Sequence, residues 1–431
     1  MQTAVIKFII ALFVAYPLGG VLRTLPNKNL KHLFSFLGGF ALLQFVYGPA
    51  WIHTLISSAV TYLLCLIAPP KYQHIIVFVW VMGYMTFSHL FRMYVSYFSG
   101  IFDFTGTQMV ITMKLTSFAY NLYDGTYDHE IVFKEHSDKS LSRMYTDRKH
   151  FAITKLPNLL EYFGYVFCFT CLLAGPAFEY TDYVSAIDGS AYINKFTDEK
   201  EKEKNTKMPP SFLPSLRRFV TSLICMVLYL KVAPIWPISS LYDPVFISTH
   251  NHWQRLLQCF IAIGFEKTKY YFAWKLAEAS SIWAGFGFEG YDATGKELGW
   301  RGVENVDIIG FELASNVQSK TRHWNKRTQG WLERYTYNRT NKSLVMTYFI
   351  SAFWHGLYPG FFLFFLSIPI CTSIERLCRS KLNPIFVPTY NGRDLETYPR
   401  TLVGYLYTAV CWLGTAFAMH YIGQVREIML N

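Results

Sequence analysis

Long apolar blocks separated by short polar connections run along most of the chain. The blocks lie at about 4–22, 33–51, 52–69, 74–91, 159–178, 219–238, 253–288, 344–374 and 402–422. A helix needs roughly 20 mostly apolar residues to cross a bilayer. The block 253–288 is long enough for two helices, and Pro359 and Pro369 predict a break or a steep tilt within 344–374. The pattern predicts an all-α, polytopic integral membrane protein with about nine to eleven tilted spans.

Three less apolar stretches predict different environments. The stretch 107–125 carries one lysine, and Met109, Met113 and Phe118 keep helical spacing, which predicts a half-buried or interfacial helix. The stretch 195–211 is a mixed-charge run typical of a mobile loop. The stretch 289–342 mixes basic residues with tryptophans, which predicts helices at the cytosolic membrane interface.

Composition supports lipid as the solvent of this chain. Hydrophobic residues make up 52% of it and charged residues only 16%, whereas soluble domains carry about 25% charged residues. The net charge of +11 suits anionic partners such as lipid head groups or a phosphorylated co-substrate. The basic residues are scattered among the spans, so a nucleic-acid partner is not expected. Motifs for metal, nucleoside triphosphate and serine-hydrolase chemistry are absent from the sequence.

His355 is the first candidate for catalysis. It lies in the apolar run that contains Trp354, Gly356, Pro359 and Gly360. An ionisable residue within a membrane segment is costly and marks function more often than chance, although a histidine bonded to a neighbouring helix would look the same. The glycines and the proline permit a broken helix that lines a cavity. Imidazole suits general-base chemistry near neutral pH, so we predict a catalytic His355.

Asn325 is a weaker local signal, because an ordinary interfacial asparagine between tryptophans would look the same. Trp324, Thr328 and Trp331 around it have the spacing of one helical face. An uncharged amide can orient a hydroxyl or stabilise an oxyanion. In an upstream apolar block, Lys275 and Glu278 have the spacing of a helical ion pair.

Several motifs in the same order resemble the membrane-bound O-acyltransferase (MBOAT) family, and within it the lysophospholipid acyltransferase branch, above all its broad-specificity fungal enzymes. The likeness runs from about residue 5 to 425. The motifs are Lys114-Leu115-Thr116-Ser117-Phe118 with Asp124-Gly125, Leu173-Ala174-Gly175-Pro176, Tyr270-Tyr271 with Trp274, Trp324-Asn325 with Thr328 and Trp331-Leu332, and Phe353-Trp354-His355-Gly356 with Pro359-Gly360.

The resemblance implies one membrane domain over 1–431, with tilted helices around an intramembrane reaction chamber (the MBOAT fold). In it, 289–342 carries Asn325 on the cytosolic side and 344–374 carries His355. It implies transfer of an acyl group from acyl-CoA, as co-substrate, to the hydroxyl of a lysophospholipid, with no bound cofactor or metal. By the same analogy the protein is expected in the endoplasmic reticulum membrane, and the sequence leaves its oligomeric state open.

We predict that His355 is the general base and that Asn325 orients the hydroxyl or stabilises the oxyanion. The predicted substrate-binding residues are Trp324, Trp354, Tyr271, Trp274, Glu278, Arg322, Lys326 and Arg327. The three basic residues are candidates for CoA phosphate contacts, and anchoring to anionic lipid is an alternative for them. Two other functions stay open: acylation of a diacylglycerol, sterol or peptide, and lipid transport.

Overall fold

A computed structural model describes residues 2–97, 103–126, 139–194, 207–386, 402–403 and 405–415. Within these ranges the protein is helical, and its only extended pairing is an isolated bridge between Tyr291 and Glu297. The all-α prediction is confirmed. Most of the predicted loop 195–211 and part of the predicted block 402–422 lie outside the described residues.

The helices alternate between long apolar ones and short ones. In chain order they are α1 (Gln2–Thr24), α2 (Lys28–Tyr47), α3 (Trp51–Ile67), α4 (Pro70–Val95), α5 (Thr105–Asp124), α6 (Lys139–Phe151), α7 (Leu159–Val166), α8 (Phe169–Leu172), α9 (Tyr180–Asp188), α10 (Phe212–Val227), α11 (Pro244–Thr249), α12 (His252–Glu266), α13 (Thr268–Ala284), α14 (Ile308–Glu312), α15 (Val317–His323), α16 (Lys326–Tyr335), α17 (Leu344–His355) and α18 (Pro359–Phe386). A π-helical turn at Leu228–Val232 extends α10.

Five helical stretches among the described residues are long and apolar enough to cross a membrane. They are Thr3–Thr24, Lys28–Ile67, Pro70–Val95, Phe212–Tyr242 and Pro359–Phe386, with shorter apolar stretches at Leu159–Leu172 and Leu344–His355. The protein is therefore a multi-pass membrane protein. The predicted division of 253–288 into two helices is confirmed, because α12 and α13 meet at Lys267. The number of about nine to eleven spans stays a prediction.

The chain packs into two compact units, each built from three separate stretches. The first unit comprises 1–223, 272–305 and 330–339, and the second comprises 224–271, 306–329 and 340–431. Both Asn325 and His355 belong to the second unit. The single membrane domain over 1–431 stays a prediction.

Helix α5 is the buried centre of the first unit, so the prediction of a half-buried or interfacial helix for 107–125 is wrong. Lys114 is fully buried, and its ammonium donates to the carbonyl oxygens of Tyr165 at 2.5 Å and Val166 at 3.2 Å. These carbonyls end α7, where the helix itself supplies no donor. The lysine therefore satisfies the end of one helix from within another, and its burial costs little.

Close helix contact elsewhere in the first unit depends on Gly39. Helix α2 packs against α7 there, and a Cβ atom added at Gly39 would overlap the carbonyl oxygen of Phe167. One turn earlier, the Ser35 hydroxyl donates to the carbonyl of Gly164 at 2.8 Å. The small side chains of α2 thus allow two apolar helices to touch along their backbones.

The second unit contains a helical hairpin formed by α17 and α18. The two helices pack against each other, and the rings of Phe349 and Phe362 lie 5.9 Å apart across the interface. Gly356 ends α17 at φ 135°, a backbone conformation that favours glycine, and α18 begins at Pro359. The predicted break within 344–374 is therefore confirmed, but α18 continues through Pro369 to Phe386.

Candidate active site

His355 lies at the turn of the α17–α18 hairpin, as the last residue of α17. The ring is half-buried and stacks on two phenylalanines of α18, with centroid distances of 5.5 Å to Phe361 and 4.7 Å to Phe365. Trp354, which is 3% exposed, meets the imidazole edge-on at 4.7 Å. Aromatic rings thus hold the orientation of the imidazole at the turn that Gly356 begins.

Asn325 connects α15 to α16 in a left-handed conformation, with φ at 46°. This region is costly for most residues, but asparagine tolerates it. The Thr328 hydroxyl donates to Asn325 Oδ1 at 2.9 Å. Within the described chain no acceptor engages Asn325 Nδ2, so the amide presents an N–H donor whose orientation Thr328 holds.

The prediction that Trp324, Thr328 and Trp331 share one helical face is wrong for Trp324. Helix α16 begins only at Lys326, and Trp324 is extended at φ −103° and ψ 130° after the end of α15. The left-handed turn at Asn325 separates the two helices. Residue spacing cannot reveal such a turn.

Trp324 instead joins an aromatic cluster with Tyr271 and Phe311. Its ring lies 4.9 Å from that of Phe311 and 5.7 Å from that of Tyr271. The Tyr271 hydroxyl donates to Glu312 Oε1 at 2.7 Å. Two predicted substrate residues, Trp324 and Tyr271, are therefore neighbours beside Asn325.

Helix α18 holds the segment that leads to Asn325. The Glu375 carboxylate accepts the backbone N–H of Val317 at 2.7 Å and pairs with Arg379 at 3.0 Å. The Arg379 guanidinium also donates to the carbonyl oxygen of Ser315. Because α18 is the second arm of the hairpin that carries His355, one helix constrains both candidate catalytic segments.

The remaining predicted residues are distributed over both units. Arg322 is exposed near the end of α15, and Lys326 and Arg327 are half-buried in the first turn of α16. Trp274 and Glu278 lie on the part of α13 that belongs to the first unit. The substrate-binding roles of these residues stay predictions.

The Glu278 carboxylate is engaged by protein groups. It is fully buried, and Oε2 accepts from Lys275 at 2.7 Å and pairs with Arg218 at 3.2 Å. Oε1 accepts the backbone N–H of Asn305 at 2.9 Å. The predicted pair of Lys275 and Glu278 is confirmed, and it forms part of a larger buried network.

Three charged residues near Trp324 carry no clear signal in the sequence. Lys267, Glu312 and Lys320 are separated along the chain, yet the structure brings them together around Phe311. Within the described ranges no group of three or more histidine, cysteine, aspartate or glutamate side chains could hold a metal ion. The second unit therefore carries an imidazole on the α17–α18 hairpin, and near Trp324 an amide bonded by Thr328, aromatic rings and buried cations.

The chain is similar to known proteins over most of its length. Residues 89–396 match the model of MBOAT, the membrane-bound O-acyltransferase family. The "Membrane-bound glycerophospholipid O-acyltransferase 2" of Rattus norvegicus is 31% identical over 393 residues, which cover 89% of this chain and 73% of that protein. The "Lysophospholipid acyltransferase" of Schizosaccharomyces pombe is 32% identical over 403 residues, which cover 91% of this chain and 74% of that protein. The protein of the same name from Saccharomyces cerevisiae is 30% identical over 402 residues, which cover 89% of this chain and 63% of that protein.

Proposed function

The chain belongs to the membrane-bound O-acyltransferase family, and on this premise we propose that it transfers an acyl chain from acyl-CoA to the free hydroxyl of a lysophospholipid. The names of its relatives support the reaction class and the acceptor. The observation that carries the proposal is the imidazole of His355 at the broken turn of an apolar hairpin. We also propose the endoplasmic reticulum membrane as its location, which co-fractionation with a marker of that membrane would test.

In the proposed mechanism neutral His355 accepts the proton of the lysophospholipid hydroxyl. The hydroxyl oxygen then attacks the thioester carbonyl carbon of acyl-CoA. The tetrahedral intermediate collapses, the carbon–sulfur bond breaks, and the imidazolium returns its proton to the departing thiolate. The products are a diacyl phospholipid and free CoA. A positioned general base contributes about 10²–10⁴-fold to such a rate.

Asn325 supplies the complementary donor in this proposal. The Thr328 hydroxyl of helix α16 donates to Asn325 Oδ1 at 2.9 Å, so the Nδ2 end of the amide is directed away from α16. An N–H donor aimed at the oxyanion of the tetrahedral intermediate stabilises the transition state more than the ground state. Loss of one such donor costs about 10²–10³-fold in kcat.

The test is acyl transfer by membranes that lack endogenous activity. With labelled acyl-CoA and lysophosphatidylcholine, the wild type should form labelled diacyl product, and His355→Ala should lower kcat at least about hundredfold at equal protein level. His53→Gln is the matched control, because His53 is also a histidine of an apolar helix, where it bonds the Tyr84 hydroxyl and stacks on Phe104. Full turnover by His355→Ala would refute the catalytic assignment.

The role of the Asn325 amide is tested by Asn325→Asp. Aspartate tolerates the left-handed backbone and keeps an acceptor for Thr328, but it lacks the Nδ2 donor. We expect kcat to fall about hundredfold or more while the protein still accumulates. Wild-type kcat in this variant would show that the backbone turn matters and the amide does not.

Product analysis separates the proposal from the alternatives. Replacement of lysophosphatidylcholine by diacylglycerol, a sterol or a peptide should abolish product if the acceptor is a lysophospholipid. A lipid transporter would move labelled lipid across the membrane without forming a new ester bond. The absence of diacyl product from every acceptor, with lipid movement intact, would favour transport.

A further inference from the structure

Lys320 is a buried cation without a hydrogen-bond acceptor. It lies in α15, is fully enclosed, and within the described residues its Nζ atom has no hydrogen-bonding partner. The centroid of the Phe311 ring lies 4.6 Å from Nζ. A ring face attracts a cation, but it does not replace the three acceptors that an ammonium group uses in water.

The neighbouring carboxylate is already engaged. Glu312 Oε2 pairs with Lys267 at 2.8 Å, and Oε1 accepts from the Tyr271 hydroxyl at 2.7 Å. The Lys267 ammonium lies 5.2 Å from the same Phe311 ring. The cluster thus contains two lysines and one carboxylate, which is engaged by Lys267 and Tyr271, so it holds one positive charge in excess.

Burial and the charge of Lys267 lower the pKa of Lys320 to about 8. At neutral pH most molecules therefore still carry the ammonium, although it costs the ligand-free fold free energy. A buried charge without a partner is destabilising, and an arriving anion removes that cost. A ligand that suits the buried Lys320 ammonium beside Lys267 is therefore an anion with several acceptor oxygens.

Position in the chain links Lys320 to the reaction. Asn325 follows it five positions later, and Trp324 packs on Phe311, which contacts the Lys320 ammonium. Both proposed substrates carry phosphate groups, and Lys binds phosphate as a point charge.

The one-turn helix α14 places Phe311 over Lys320 and has its other side exposed, with Ile309 72% exposed. A shift of this short turn would uncover the ammonium.

We infer that Lys320 binds a phosphate oxyanion of one of the two substrates during acyl transfer. The inference rests on the proposed function. Phosphate could come from CoA or from the lysophospholipid, and both sources share the same chemistry. The lysine then anchors a remote part of the substrate, while Asn325 and His355 act on the reacting atoms.

Lys320→Met tests this inference, because methionine fills similar space without charge. In the ligand-free protein we expect an unfolding temperature equal to or above that of the wild type, because an unsatisfied charge has been removed. We expect KM for one substrate to rise about tenfold or more, as loss of a charge-assisted contact implies. Lys320→Arg should retain more affinity than Lys320→Met. Lys296→Met, at an exposed position, is the control.

Two arms identify the source of the phosphate. CoA and lysophosphatidylcholine are added separately to purified protein, and the rise in unfolding temperature is measured for wild type and variant. Loss of stabilisation by CoA, with a raised KM for acyl-CoA, assigns the CoA phosphates. Loss of stabilisation by lysophosphatidylcholine, with a raised KM for that lipid, assigns the glycerophosphate.

Other outcomes overturn the inference. Unchanged KM values for both substrates in Lys320→Met would show that the ammonium binds neither. Destabilisation of the ligand-free protein by both Lys320→Met and Lys320→Gln would show that the fold itself satisfies the charge. Failure of the proposed function is distinguishable, because the wild type would then form no diacyl product at all.

Discussion

Substitution Glu278→Gln separates a structural role of this residue from the substrate-binding role predicted from sequence. Glutamine keeps a carbonyl oxygen for the N–H of Asn305, which Glu278 accepts at 2.9 Å, so the change isolates the charge. Arg218 is 29% exposed at its side chain and retains Glu304 at 3.0 Å. The Lys275 side chain is only 4% exposed and pairs with Glu278 at 2.7 Å. Loss of the Glu278 charge therefore destabilises the protein mainly by leaving the buried Lys275 ammonium without its carboxylate.

Removal of one partner from a buried ion pair costs about 3–5 kcal/mol. We expect the lower end, about 3 kcal/mol, because the glutamine oxygen can still accept from Lys275 and Arg218 keeps a second carboxylate. This loss should lower the unfolding temperature of the purified protein by several degrees. KM for either substrate should stay at its wild-type value, because the Glu278 oxygens face protein groups.

The matched control is the double variant Lys275→Met with Glu278→Gln. Without the Lys275 ammonium no cation of this network lacks its partner, because Arg218 still pairs with Glu304, so much of the lost stability should return. The measurement is thermal unfolding in detergent followed by intrinsic fluorescence, together with acyl-transfer kinetics. An unchanged unfolding temperature combined with a tenfold rise in KM would refute the structural role and favour substrate binding by Glu278.

Three further predictions concern packing, positioning and pH. Gly39→Ala should abolish accumulation of folded protein, measured by fluorescence-detected gel filtration, whereas Gly83→Ala should be tolerated because its Cβ would meet nothing within 4 Å. Glu375→Gln should lower kcat more than it raises KM, because it loosens the segment that leads to Asn325; equal kcat in the variant would contradict this. KM for the substrate whose phosphate Lys320 binds should rise as pH passes about 8, because Lys320 loses its proton there. Lys320→Arg should remove that rise. Because the folded pKa lies below the ordinary 10.5, the same group should add stability as pH rises from about 8 to 10.5, measured by thermal unfolding.

The apolar pattern could predict helices wherever lipid contact dominates. Helix α1 covers Gln2–Thr24 where the pattern predicts 4–22, and α4 covers Pro70–Val95 where it predicts 74–91. The break before α18 was also predictable, because Gly356 and Pro359 are local signals. Such features depend on residues within one or two turns of each other, so the linear sequence contains them.

Contacts between distant residues could not be predicted in the same way. Helix α5 was predicted to be interfacial because it is only moderately apolar and contains Lys114. Its burial depends on carbonyl groups at Tyr165 and Val166, about fifty residues away along the chain. The position of Trp324 depends on a left-handed Asn325, which residue spacing does not encode. The charged cluster of Lys320 is likewise formed only by the fold.

Hydrogen-bond satisfaction separates the buried polar residues of this protein into two groups. Lys114 and Glu278 are satisfied by carbonyls, a backbone N–H and ion pairs, so the folded chain has already compensated their burial. Lys320 Nζ is buried and has no acceptor among the described residues, and Asn325 is half-buried with its Oδ1 bonded by Thr328. Since an unsatisfied buried polar group is costly, its persistence is best explained by a ligand that completes it. Substitution of the first group should therefore change stability before kinetics, and substitution of the second should change kinetics before stability.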